Sequence, residues 1–308
     1  MDPNAVSCHA VAFSRHDGIL IFTFMTLPID PQTVIVSSCS MWKHCQPRNA
    51  MEQKKTTLTY RVLRWFIWLF SPKYRICGEE NLPDGPCVIV GNHCHMYGPI
   101  ASELYTPGPH DTWCTGEMMH KEEIPEYAFR DFWSLKPKRL HWIYRILSHL
   151  IIPLALCLFT NANTIAVYHD SRILTTFRDS VASLQRGRRI VIFPEHYVPR
   201  NNIISDFQDR FVDLARLYWK KTGRVLVFIP MYLAPKRKEM HFGNPIPYQP
   251  DNPPEEERKR ICELLMDQIT EIAASLPEHT VIPYPNVPKS AYHKNVPIEV
   301  YSVEKTIG

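Results

Sequence analysis

Apolar positions along the chain fall into short β-branched runs separated by longer stretches whose apolar residues recur at helical spacing. Val88 to Val90, Thr164 to Tyr168, Arg189 to Phe193 and Val225 to Met231 are compact runs bounded by turn residues, the pattern of strands buried on both faces. Tyr74 to Cys77, Thr112 to Thr115 and Met240 to Phe242 read as further strands, the last at a sheet edge. Helices are expected near Pro99 to Tyr105 and over Glu122 to Trp133. Another carries Ile173, Leu174, Phe177, Val181 and Leu184 on one face, with Asp170 or Ser171 to cap it and Gly187 to end it. Asp206 to Lys221 presents Phe207, Phe211, Leu214 and Tyr218 together, with acids at its start and lysines before Gly223, as the helix dipole prefers. Glu255 to Ala274 is the last amphipathic helix, with Ile261, Leu264, Leu265, Ile269 and Ile272 on its apolar face. This alternation predicts an α/β fold: a mixed, mostly parallel sheet flanked by helices.

Three stretches break the pattern. Leu58 to Phe70 interleaves Trp65, Phe66, Trp68 and Phe70 with Arg61 and Arg64, too short for a membrane span but suited to lying in the headgroup region. His141 to Phe159 is the most apolar region, interrupted by Arg145, His149 and Pro153, and reads as a buried helix or a shallow membrane dip. Residues 1 to 50 show neither period, and Met51-Glu-Gln-Lys-Lys looks like an ordinary start of translation. Four segments are therefore expected: 1–50, a non-native or disordered extension; 51–72, an amphipathic membrane-associating helix; 73–276, the α/β domain; and 277–308, a proline-rich tail lying irregularly over the surface.

Composition narrows the classes. With 308 residues and 45% apolar content the chain has enough material for a large core. Net charge is only +4, but basic residues gather at Lys136, Lys138 and Arg139, at Arg186, Arg188 and Arg189, and at Lys236 to Lys238, as anionic lipid or phosphate would favour. No nucleic-acid module is recognisable, and nucleic acid is set aside. Nine cysteines without a Cys-x-x-Cys spacing favour a reducing compartment.

Candidate chemistry begins at Cys87 to Ile100, where a buried strand empties into Gly91-Asn-His-Cys-His-Met-Tyr-Gly-Pro99. This puts His93 at the carboxyl edge of a strand, where open α/β sheets bind ligands. Two other strand ends carry polar residues, Tyr168-His169-Asp170 and Phe193-Pro194-Glu195-His196. A metal reading is also open: His93 and His95, with His110, Cys114, His120 or His196, as ligands of a metal-dependent hydrolase, although no ligand block of characteristic spacing follows.

In order and spacing these blocks resemble the PlsC-type glycerolipid acyltransferases, which include the 1-acylglycerol-3-phosphate acyltransferases. The family blocks are Asn-His-x4-Asp, a strand ending in Arg, Phe-Pro-Glu-Gly, and an apolar strand ending in proline. Here they correspond to Asn92-His93, Ile165 to His169, Ile192 to His196 and Val227 to Pro230, and the likeness runs from about Tyr74 to Ile246. It implies transfer of a fatty acyl group from an acyl thioester, on coenzyme A or acyl carrier protein, to a hydroxyl of a glycerol phosphate or lysophospholipid. It implies His93 as general base, Glu195, His169 and His196 at the acceptor and its phosphate, and Asn92, Asp170 and Pro230 in support. No metal and no cofactor beyond the thioester co-substrate is implied; the partner is the membrane lipid surface, met from its cytoplasmic face by a peripheral or monotopic protein.

The departures are Gly98 at the family aspartate, His169 at the arginine and His196 at the glycine. Loss of an orienting carboxylate costs triad chemistry about 10⁴ in rate while leaving residual catalysis. Ser102 shares the face of Gly98, Glu103 is rotated away, and Asp170, Glu195 or a backbone carbonyl are the remaining candidates to fix the ring. The alternative outcome is a catalytically impaired acyl- or lipid-binding relative of the same fold.

Overall fold

The computed structural model describes residues 10–16, 19–25, 56–134, 136–168, 170–285 and 287–297. The expected start at Met51 lies outside them. The chain divides into two units, residues 1–51 and 52–308. The first is described as two antiparallel strands, β1 (Ala10–His16) and β2 (Ile19–Met25). No strand was expected there; the Asp17-Gly18 dipeptide between the two runs is a hairpin signal that a search for period overlooks.

In the second unit α1 (Leu58–Phe70) opens on Thr57, whose hydroxyl accepts from the Tyr60 amide. Then come β3 (Arg75–Cys77), β4 (Val88–Gly91), α2 (Tyr97–Tyr105) and β5 (His110–Thr115). The stretch expected as one helix to Trp133 is α3 (Ile124–Ala128) followed by a π-helical turn, Phe129–Trp133. Next are α4 (His141–Leu150), α5 (Ile152–Asn161), β6 (Thr164–Val167), α6 (Ile173–Gln185), β7 (Arg189–Ile192) and the hairpin of β8 (Glu195–Pro199) with β9 (Ser205–Phe207). The helix expected from Asp206 begins later, as α7 (Asp213–Thr222), because Ser205 to Phe207 pairs with β8. The order ends β10 (Val227–Ala234), β11 (Glu239–Phe242), β12 (Ile246–Pro247) and α8 (Pro254–Ser275).

The main sheet runs β3-β11-β10-β4-β7-β5-β6, with β12 also paired to β10. Every pairing is parallel except those of β10 with β11 and β12, so the sheet is mixed and mostly parallel, as expected. Two local expectations are corrected. β11 is interior, because β3 covers its outer side. Pro230 does not end its strand: β10 continues to Ala234. The proline falls where the partner changes from β12, at Val227 and Phe228, to β11, at Met231 onward, so its missing N–H falls outside both ladders.

β4 sits near the centre and is wholly buried. Val88 and Val90 join the core cluster that includes Leu184 of α6, Leu214 of α7, and Ile261 and Leu265 of α8. Ile89 joins the opposite cluster, with Ala101 of α2. Alternation along β4 thus fixes both faces of the sheet.

α1 is anchored by Tyr60, whose hydroxyl meets Glu103 Oε1 at 3.2 Å, and by Arg64, 3.5 Å from the same carboxylate. Its remaining apolar face is open: Leu58, Val62, Trp65, Phe66, Trp68, Leu69 and Phe70 are exposed. α4 and α5 are not the buried helix that was one of the expectations, since Ser148 and Ala155 are their only buried residues. Trp142, Ile146, Leu150 and Leu154 are exposed instead. No single described helix is long and apolar enough to cross a membrane; 138–150 and 152–161 pass that test only together, with a 45° bend between them.

Candidate functional site

His93 follows β4 closely, at the carboxyl edge of the sheet. The turn it opens is tight. The Gly98 amide donates to the His93 carbonyl at 3.0 Å and the Tyr97 amide to that of Cys94 at 3.1 Å, while Cys94 and His95 adopt left-handed φ of 48° and 54°. Left-handed backbone costs an L-residue about 1–2 kcal/mol, so this turn is held by its surroundings.

Two side chains hold it. Asn92, buried, clamps β10: its Oδ1 accepts from the Leu233 amide at 2.7 Å and its Nδ2 donates to the Leu233 carbonyl at 3.1 Å and to Cys94 Sγ at 2.9 Å. Glu195, 3% exposed, accepts the His93 amide on Oε2 at 2.6 Å and the Ser205 amide on Oε1 at 3.0 Å. Burial pushes its carboxyl up to about 7 against the pull of those two donors. Glu195 therefore reaches the backbone of His93.

The His93 ring has two aromatic neighbours, Phe193, with centroids 5.4 Å apart, and Tyr284, at 5.6 Å, each with its plane steeply inclined to that of the imidazole. Desolvation lowers its pKa to about 4; a backbone hydrogen bond to His95 and the charge of Asp131 act upward, and the charge of His95 acts downward. The imidazole is accordingly neutral at pH 7.

Gly98 explains the missing carboxylate. A Cβ there would lie 2.4 Å from the His93 carbonyl oxygen and 3.1 Å from that of Asn92, so this turn has no room for any side chain. Of the other candidates to fix the ring, Ser102 donates to the Pro99 carbonyl, Glu103 serves α1 and Asp170 pairs with Arg172, while the backbone candidate is met by the hydrogen bond between the ring and the His95 backbone.

Not all of the expected site residues are brought together. β6, which leads to the second block, is three strands from β4, about 14 Å at the usual spacing. His169 lies outside the described residues. Asp170 is exposed there, its pKa lowered by Arg172, whose guanidinium also reaches Glu123 at 3.1 Å and lies over the Tyr168 ring at 4.1 Å. His196 is half-buried beside Glu195, its Nδ1 accepting the Val198 amide. Pro230 is in register with Val90, and its carbonyl accepts the Gly243 amide. The metal reading is not assembled: among the described residues no group of three or more His, Cys, Asp or Glu is placed to hold an ion. His95 Nε2 faces the Pro285 carbonyl at 3.2 Å and so carries its proton there.

The tail supplies what sequence reasoning missed. It is irregular, but it does not merely lie over the surface: His279, Val281, Ile282 and Asn295 are buried. Its Pro283-Tyr284-Pro285 segment, an aromatic stiffened by flanking prolines, was the available signal.

No protein-family model and no curated protein matches the chain. Among solved structures it is similar to the 1-acyl-sn-glycerophosphate (LPA) acyltransferase PlsC from Thermotoga maritima, at 18% sequence identity and a TM-score of 0.42, over 71% of this chain and 81% of that one.

Proposed function

We propose that this protein transfers a fatty acyl group from an acyl thioester to a hydroxyl of a glycerol phosphate or lysophospholipid, with His93 as general base. One observation carries the reading. Three of the four sequence blocks, far apart in the chain, meet at the carboxyl edge of the sheet: Glu195 bonds the His93 amide across 102 residues, and Pro230 is in register with Val90, on the strand that leads to Asn92.

The neutral imidazole accepts the proton of the acceptor hydroxyl as its oxygen bonds to the thioester carbon. The tetrahedral adduct then expels the thiolate, which takes the proton back from the ring. His196, whose Nδ1 already accepts a hydrogen bond, offers Nε2–H to the acceptor's phosphate. Coenzyme A or acyl carrier protein brings the acyl group, and the reaction needs no other cofactor.

The partner surface is the cytoplasmic face of a membrane, met peripherally or monotopically. The exposed apolar faces of α1 and of α4–α5 support this, with Lys138 and Arg139 leading into α4. Members of the other basic clusters have internal duties: Arg188 pairs with Asp111, Arg189 bonds the Pro83 and Pro107 carbonyls, and Arg237 pairs with Glu239.

A second reading, an acyl- or lipid-binding protein without turnover, is favoured by one feature: among the described residues no carboxylate is hydrogen-bonded to the His93 ring, Asp131 acting on it only through its charge. Acyl-coenzyme A and acyl carrier protein donors, incubated with the full chain, vesicles and acceptor, separate the two. Acceptor-dependent release of free thiol that is lost in His93→Ala supports the acyltransferase; tight donor binding without release supports the binder.

A further inference from the structure

We propose that Tyr284 is a positioning residue for His93, closing an aromatic slot that holds the imidazole plane where this turn has no room for an orienting carboxylate. The activity arm of this inference rests on the acyltransferase reading; the geometric arm does not.

A hydrogen bond with the His95 backbone anchors one nitrogen of the ring and leaves its plane to be set by packing. A general base works only if its lone pair meets the acceptor hydroxyl, and displacement of about 1 Å can cost 10²-fold. Phe193, directly after β7, forms one wall of the slot at 5.4 Å. The second ring comes from the tail. Tyr284 stands 5.6 Å from His93 and 5.3 Å from Tyr197 of β8, with whose side chain it also shares a hydrogen bond. Edge-to-face contacts of this kind fix relative ring planes as well as burying area.

Tyr284 is held there by a strap secured on both sides. Before it, the buried His279 meets the Tyr232 hydroxyl of β10 at 2.8 Å and donates its amide to Asn295 Oδ1 at 2.8 Å. After it, Asn295 Nδ2 donates to the Ala273 and Leu276 carbonyls at the end of α8. The Val281 amide bonds the His293 carbonyl and Thr280 bridges Lys294, closing the strap on itself. Pro285 meets His95, so the strap touches the histidine turn there as well as at the His93 ring. These bonds fix the strap to the sheet and to α8 without involving the Tyr284 hydroxyl.

The test compares Tyr284→Phe, Tyr284→Leu and Tyr284→Ala in the full chain, with His93 followed by NMR of labelled imidazole and turnover followed by thiol release. The charged and titratable neighbours of the ring, His95, Asp131, Glu195 and Cys94, are left unchanged. Tyr284→Phe is expected to keep both the His93 shifts and kcat. Leu and Ala are expected to move the ring signals, raise the His93 pKa from about 4 toward 6.5 as water enters, and lower kcat about tenfold, the worth of one aromatic pair, with little change in KM. Unchanged His93 signals in a folded Leu or Ala variant would overturn the slot. So would a Tyr284→Phe variant as impaired as Ala, which would assign the effect to the hydroxyl. Shifted His93 signals without turnover in the parent chain would sink the acyltransferase reading and leave the slot standing.

Discussion

Replacing Glu195 by glutamine tests how the histidine turn is held. The carboxyl is buried and its pKa is raised from 4.5 to about 7. At ~1.4 kcal/mol per unit, ionising it in the fold costs about 3 kcal/mol. A folded pKa above the unfolded one means that this site's contribution to stability is fully present below about pH 4.5 and is lost as pH rises through about 7. Glutamine has the same shape and does not titrate. The stability of the parent chain minus that of Glu195→Gln should therefore fall by about 3 kcal/mol between about pH 4 and about pH 8. Urea unfolding at several pH values, followed by tryptophan fluorescence, reads this difference, and titrations elsewhere largely cancel in it. A flat difference would refute the burial argument; a rising one would show that the two amide donors outweigh desolvation. Glutamine also turns an NH2 toward one of two amides, His93 or Ser205, leaving a donor unsatisfied at about 1–3 kcal/mol.

The remaining predictions concern the turn and the surface. Gly98→Asp, which places at this position the acid of the motif the turn resembles, should destabilise the fold by about 1–3 kcal/mol and lower acyl transfer, because its Cβ meets the His93 carbonyl at 2.4 Å; a variant several-fold more active than the parent, measured by thiol release, would show that the turn can open to seat an acid. Trp65→Glu combined with Trp142→Glu should cut co-sedimentation with anionic vesicles about tenfold or more while leaving thermal unfolding nearly unchanged, since both side chains are exposed; undiminished sedimentation would remove α1 and α4 as the docking face.

Much of the fold was legible because its strands are continuous apolar runs. Val88 to Val90 is buried on both faces, as its unbroken apolar run indicates. Gly223 ends α7 in the left-handed conformation after Lys220 and Lys221, as the end signals indicated. Where pairing overrode periodicity, reading failed: Phe207 fits a helical face, yet Ser205 to Phe207 pairs with β8. The edge assignment of β11 failed because sheet order is a long-range property, set by β3 from the other end of the domain.

The placement of Asn92 and His93 at the carboxyl end of a buried strand was legible from the apolar run before them. The part played by Glu195 was not, since only the folded chain brings its carboxylate under the His93 amide. Gly98 read as a lost acid; the structure shows a backbone contact that excludes one. Tyr284 was hidden for the opposite reason, lying in an irregular segment with no period to reveal its direction.

The most direct test of His93 as the base of an acyl transfer is to follow labelled acyl thioester, acceptor and vesicles with the full chain, counting free thiol and acyl ester together. One ester formed per thiol released is expected, with both lost in His93→Ala while the variant still folds and binds donor. Equal ester formation by the parent and His93→Ala would contradict this, placing the chemistry somewhere other than the carboxyl edge of β4.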